Sequence, residues 1–322
     1  KGKILAIGDA PAGFVPNQAI NAQGLILAPG FIDLSCHVRE PGPGYKGNLA
    51  SESLAGTAGG FSYLCARPDT QPVLDSSALV TTLQEKAQQL GNAKVLPLGA
   101  LTKGLEGKML SNMAALKNAG CVALTNLRQP LENTQVLKRS LEYAATYNLR
   151  VIIYPEDPYL KGKGCVNASP LATQLGLTGI PASAETLALT QALLLAEETG
   201  TQLHFSHLSC AKSVQLIAQA QQQGLPVTAD VALSHLLFTD AAIESFASNF
   251  YLEPPLRSEE DRQALLAGLK NGVISAVSSG HLPHELAAKM APFAAAEPGI
   301  SSLEIVLPQL LKLVNEGYFN LT

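Results

Sequence analysis

Tryptophan is missing from the 322 residues, aromatic side chains make up 5% of them, and charged side chains only 15%. The charged share is low beside the roughly 25% usual for soluble domains. A chain with so few charges is expected to bury much of its surface, in a large core or against partner subunits of a homo-oligomer or hetero-oligomer. A basic excess is absent too: 22 Lys and Arg stand against 26 Asp and Glu, a formal net charge of −4. That balance argues against nucleic acid as a partner, because phosphate binding asks for a basic patch. No apolar run approaches the length of a spanning helix, and Lys1 opens no basic-then-apolar leader pattern. The expectation is a cytoplasmic protein with no membrane segment. The five cysteines, Cys36, Cys65, Cys121, Cys165 and Cys210, are odd in number and contain no C-x-x-C pair, so they read as reduced thiols.

Eight short β-rich runs follow residue 30: 30–37, 61–66, 94–101, 121–126, 149–155, 202–207, 226–231 and 273–279. Between them lie segments with helical periodicity, among them 76–91, 134–148, 184–200 and 211–224, several ending at the Gly or Asn that commonly stops a helix. Eight strands alternating with helices is the pattern of an α/β (β/α)8 barrel of the TIM type. The competing open sheet would want a glycine-rich phosphate turn, and G-x-G-x-x-G does not occur. Segments 1–11 and 18–30 read as a hairpin or strand pair outside the barrel. In such a barrel the chemistry sits at the C-terminal ends of the strands. All six histidines, His37, His204, His207, His235, His281 and His284, fall there or close by.

The stretches PGFIDLSCHVREPG (29–42), AGGFSYLCARPDT (58–70), LHFSHLS (203–209), PPLRSEEDRQALLAGL (254–269) and GHLPH (280–284) resemble the dihydroorotases of the amidohydrolase superfamily. The likeness runs in order from about Ala28 to Glu304. It implies a barrel over residues 29–322 and a small β-sandwich to which residues 1–28 belong, its C-terminal strands lying outside this sequence. It also implies the interconversion of N-carbamoyl-L-aspartate and dihydroorotate, with zinc to polarise a carbonyl and generate hydroxide, and an aspartate to shuttle protons.

At the positions that the resemblance assigns to that chemistry, the chain departs from the pattern. The H-x-H pair of the first strand reads Ser35, Cys36, His37, and a neutral hydroxyl is a poor substitute for imidazole. Strand parity turns Cys36 away from the barrel mouth. The acidic ligand after the fourth strand falls in LTNLRQP (124–130), which holds no carboxylate, and the fifth-strand histidine is Tyr154. The sixth-strand ligand survives as His207, and the proton-shuttling aspartate is Gly280. His37 and His207 alone fall short of the three protein ligands that a catalytic zinc site keeps. Of the substrate contacts, Arg39 and His284 match carboxylate-holding positions, while two family asparagines are Asp69 and Glu253. Those two acids are expected to repel a dianionic substrate.

The resemblance therefore points to a degenerate dihydroorotase without cofactor or catalytic residue. Such homologues serve as structural partners of the aspartate carbamoyltransferase catalytic subunit. Two rivals stand beside this reading. One is an active dihydroorotase or other cyclic amidohydrolase whose zinc is held by His37 and His207 with Cys165, Cys210, His281 or His284. The other is a metal-free module that binds a carboxylate metabolite through Arg39 and His284; Arg39 and Glu40 read either as a carboxylate-binding pocket or as a salt-bridged arginine in the barrel mouth. His204, three residues from His207, is expected to face the other way and pack; His235 reads as structural or surface, and Lys161 and Lys163 as a solvated loop.

Overall fold

A computed structural model describes residues 3–321, and the chain divides into two units, Lys1–Gly30 and Phe31–Thr322. In the first unit, the described residues form turns and bends and no strand, so the expected hairpin is not made. Its apolar side chains, Ile4, Leu5, Ile7, Val15, Ile20 and Leu27 among them, are exposed. Two short strands alone are marginal in water unless a third strand or another layer covers their apolar face.

The described residues of the second unit form ten strands: β1 (Phe31–Cys36), β2 (Phe61–Ala66), β3 (Lys94–Ala100), β4 (Ala123–Thr125), β5 (Val151–Ile153), β6 (Val166–Asn167), β7 (Gly179–Ile180), β8 (Leu203–Phe205), β9 (Val227–Ala232) and β10 (Ala276–Ser278). Eight of them form one parallel sheet in the order β1-β2-β3-β4-β5-β8-β9-β10. A parallel bridge from Cys36 to His281, with the His37 amide donating to the His281 carbonyl at 3.0 Å, brings the two edges together. This is the expected (β/α)8 barrel. Strands β6 and β7 pair only with each other, in an excursion between β5 and β8.

Helices between the strands cover the outside, including Ser77–Leu90, Thr134–Thr146, Ala182–Thr199, Ala211–Gln222 and Glu259–Lys270. Their ends follow local chemistry. Asn133 accepts from the Val136 amide at the start of one, Ser258 and Asp261 form a capping box at another, and Gly91 and Gly200 end two more in the left-handed backbone that glycine adopts without a Cβ clash. No helix among the described residues is long and apolar enough to cross a membrane.

Alternation along each strand divides the core into two layers. Leu124, Val151, Leu203 and Phe205 face the helices and pack with Leu141, Leu189 and Ile217. Cys36 does the same among Val38, Leu49 and Leu64. The alternate residues Leu98, Ala100, Ala123 and Ile152 group together with Tyr154. Burial of these side chains contributes on the order of 25 cal/mol per Å² of apolar surface, and the sheet thereby fixes where every strand end sits.

Candidate functional site

The C-terminal strand ends bring Ser35, His37, Tyr154 and His207 to one place, all four buried. The two positions that no longer carry histidine are bonded to each other: the Ser35 and Tyr154 hydroxyls share a hydrogen bond of 2.7 Å. The Tyr154 ring also meets the His207 ring edge-on, with centroids 5.3 Å apart. His37 is engaged on both nitrogens. Its Nδ1 accepts from the Arg39 amide at 3.1 Å, which leaves the proton on Nε2, 3.4 Å from Asp69.

Two arginines that sequence reasoning did not single out complete this cluster. The guanidinium of Arg67 binds Asp69 at 2.8 and 3.3 Å and lies 5.9 Å from the Tyr154 ring centroid. Arg128 lies 5.4 Å from the same centroid. Its Nη1 reaches Glu156 at 3.5 Å, whereas its Nη2 is buried without a hydrogen-bond partner. The buried Nε2 of His207 also has none. Arg67, Arg128 and Tyr154 follow three different strands, β2, β4 and β5, so no local sequence pattern marks their meeting.

Asp69 and Glu253 do not stand as free negative charges, which corrects the expectation of simple repulsion. Burial would raise the Asp69 carboxyl, but Arg67 and then His37 hold it well below the usual carboxylate range. Glu253 pairs with Lys161 at 2.9 Å, and Lys161 also binds Glu156 at 2.9 Å. Lys161 is thus an ion-pair partner on the short helix Pro158–Lys161, while Lys163 is exposed. Asp69 and its cation lie two residues apart on one loop, whereas Glu253 and Lys161 are brought together across 92 positions by closure of the fold.

Arg39 and His284 come together as expected, with Nη2 of Arg39 3.4 Å from Nε2 of His284. Arg39 also donates through Nε to the Pro283 carbonyl at 3.0 Å, and Nε2 of His284 lies 2.8 Å from the Pro298 carbonyl. Arg39 has a left-handed backbone (φ 58°), rare for a side chain with a Cβ and common at binding sites. Glu40 does not pair with it: its carboxylate accepts from the Leu49 amide and pairs with Lys86.

His207 has φ 58° as well, and lies beyond the end of β8. Parity therefore does not carry from His204 to His207, and His204 is not turned outward into packing. It points inside the barrel, bonding Thr228 at 2.8 Å and Asp230 at 2.9 Å. Asp230 also accepts from Ser206, the His207 amide and Ser278, at 2.8, 2.9 and 2.9 Å. Burial would raise its carboxyl, but these donors, led by His204, hold it well below the usual range. His281 bonds Glu52 at 2.5 Å and accepts from the Ser302 amide, and His235 bonds the Pro254 carbonyl. Cys165 packs with Val166, Ala172, Ile243 and Phe293, and Cys210 bonds Ser213 and Glu185.

Gly280 has φ 64°, and a Cβ built there would stand 3.2 Å from that of Ala232 and 3.9 Å from Cε1 of His207. The donor set does not fit a zinc ion. A serine hydroxyl and a neutral phenol, already bonded to one another, stand at two imidazole positions, His37 is turned to Asp69, and Gly280 has no side chain, which leaves His207 as the one ligand-position imidazole with a free nitrogen, short of the three ligands a zinc site keeps. The phenol is poorer still as a ligand, since burial pushes its ionisation upward. Among the described residues, no three His, Cys, Asp or Glu side chains come together in a group that could hold a metal ion.

Four histidines in this region are held neutral. Burial pushes His207 down to about 3 and His235 and His284 to about 4, and it lowers His37 as well. The unfolded chain protonates them near pH 6.5, so it binds more protons than the native state once the pH falls below that value. Their stabilising contribution is full above about pH 6.5 and is lost as the pH falls towards 3 to 4. Asp33 works in the opposite sense, since burial raises it to about 6. With more histidines than that one acid, the urea midpoint is expected to drop between pH 7 and pH 5. The slope is roughly 1.4 kcal/mol per pH unit for each net proton. A midpoint unchanged over this range contradicts buried neutral imidazoles.

Residues 24–213 match the family described as Dihydro-orotase-like. The chain is 50% identical over 320 residues to a "Dihydroorotase-like protein" of Pseudomonas aeruginosa, covering 99% of this chain and 76% of the relative. It is 38% identical over 321 residues to a "Dihydroorotase" of Trichlorobacter lovleyi, covering 100% and 76%. Among solved structures, the L-hydantoinase of Arthrobacter aurescens superposes with a TM-score of 0.84 at 23% identity, over 97% of this chain and 72% of that one. The last likeness speaks to the fold alone.

Proposed function

The chain belongs to the dihydroorotase-like family, a family of cyclic amide hydrolases, and from that premise we propose that it is a member without catalysis that serves as a structural partner of aspartate carbamoyltransferase. The observation that carries the first half is the Ser35–Tyr154 hydrogen bond. A ligand position supplies a metal only while its lone pairs point at a shared centre, and here two of them are spent on each other. Gly280 adds the loss of the proton shuttle, because a hydrogen atom cannot take a proton from water or return it to a leaving amide. Cytoplasmic residence belongs to the same reading.

The second half is supported by the family resemblance and by a charged share of 15%, which leaves surface for burial in an interface. The barrel fold is kept while the donors of its mouth are replaced, as expected if the outer surface is what the protein uses. The active-enzyme reading requires a third ligand beside His37 and His207. Cys165, Cys210 and His281 are each bonded or packed elsewhere, and His284 sits with Arg39 and the Pro298 carbonyl.

Co-purification tests the partnership. An affinity-tagged copy of this chain, drawn from an extract of cells that express it naturally, is expected to bring down aspartate carbamoyltransferase activity in one assembly of defined size. Transferase from cells lacking the chain should be smaller and less active. Transferase that keeps both size and activity without it contradicts the proposal.

A further inference from the structure

Arg67 and Arg128 need an explanation beyond the loss of ligands. Arg67 is bound to the same carboxylate, Asp69, that lies 3.4 Å from Nε2 of His37. Both guanidiniums lie within 6 Å of the ring of Tyr154, whose hydroxyl occupies Ser35. Both also act on His207, helping to keep its imidazole neutral. Arg128 tolerates a buried Nη2 with no hydrogen-bond partner, a costly arrangement for a charged group unless the aromatic face and nearby carboxylates compensate it. Two monocations, both within 6 Å of the ring of the phenol at a ligand position, together carry the charge of one divalent ion.

We infer that Arg67 and Arg128 stand in for the charge of the missing metal: they satisfy the carboxylates and ring faces of the barrel mouth and exclude a divalent cation from it by repulsion. The inference rests on the proposed noncatalytic reading and goes further. It says that the site is closed by charge as well as by the loss of ligands, so that returning the ligands alone does not return the metal. Repulsion between like charges a few ångströms apart is weakly screened in a buried site, which is why two fixed guanidiniums can outweigh restored imidazoles.

The experiment is a Co²⁺ titration followed by equilibrium dialysis and by the visible absorption of the bound ion. One variant restores the ligands (Ser35→His, Tyr154→His, Gly280→Asp); a second adds Arg67→Gln and Arg128→Gln; a third adds Arg67→Lys and Arg128→Lys to the first. The second is expected to bind Co²⁺ at least tenfold more tightly than the first, and the lysine version to bind as weakly as the first. Equal affinity in the first and second variants overturns the inference. Should the triple replacement fail to fold, Tyr154→His with and without Arg128→Gln is read against the same tenfold criterion. Stoichiometric metal in the unmodified protein is a different failure: it removes the noncatalytic reading itself, whereas tight binding confined to the first variant removes only the role given to the arginines.

Discussion

The purified protein is expected to convert N-carbamoyl-L-aspartate to dihydroorotate at least about 10⁴-fold more slowly than an active dihydroorotase assayed beside it, with or without added zinc. A positioned general acid and base is worth about 10² to 10⁴ in rate, and the position that would supply it is Gly280. Carbonyl polarisation by a metal is worth several kcal/mol more, and the donors here do not fit one. A single change of Gly280→Asp is not expected to recover the rate. Its carboxylate would enter a left-handed backbone at φ 64°, with its Cβ 3.2 Å from that of Ala232, and would find Ser35 and Tyr154 still bonded to each other. A rate within about 100-fold of the active enzyme after incubation with zinc contradicts this expectation.

The second large effect is on stability. Asp230→Ala is expected to destabilise the barrel by roughly 4 kcal/mol, because it strands four buried donors at once: His204, Ser206, the His207 amide and Ser278. Asp230→Asn keeps the shape but offers only one acceptor oxygen, so about half that loss is expected. Urea unfolding of the three proteins at pH 7 measures both values. A cost under about 1 kcal/mol for the alanine variant would mean that the polar layer within the barrel relaxes freely, and the rigidity assigned to the mouth would have to be given up.

The mouth was partly legible in the sequence. All eight barrel strands stood out because each is a short β-rich run between helical segments, and strand alternation correctly put Cys36 against the helices. The helix Leu49–Ala58 carries a weak signal, since LASESLAGTA is rich in small residues and buries Leu49, Glu52, Ser53 and Gly56. The pair β6–β7 was missed because each strand has only two residues. Alternation failed at His207, where the strand has ended and the backbone turns left-handed, and it therefore misplaced His204. Replacement of the ligands could be read residue by residue, but what the replacements do with one another could not. That Ser35 bonds Tyr154, across 119 positions, and that Arg67 and Arg128 meet over the same ring, follow from closure of the barrel and leave no local signature.

The most direct test of the closed mouth is a metal count on the intact protein. After dialysis against micromolar zinc and then metal-free buffer, elemental analysis is expected to find well under 0.1 zinc per chain, a threshold on the order expected for a site short of three ligands. Near one zinc per chain, lost on replacing His37 or His207 with alanine, would contradict the account.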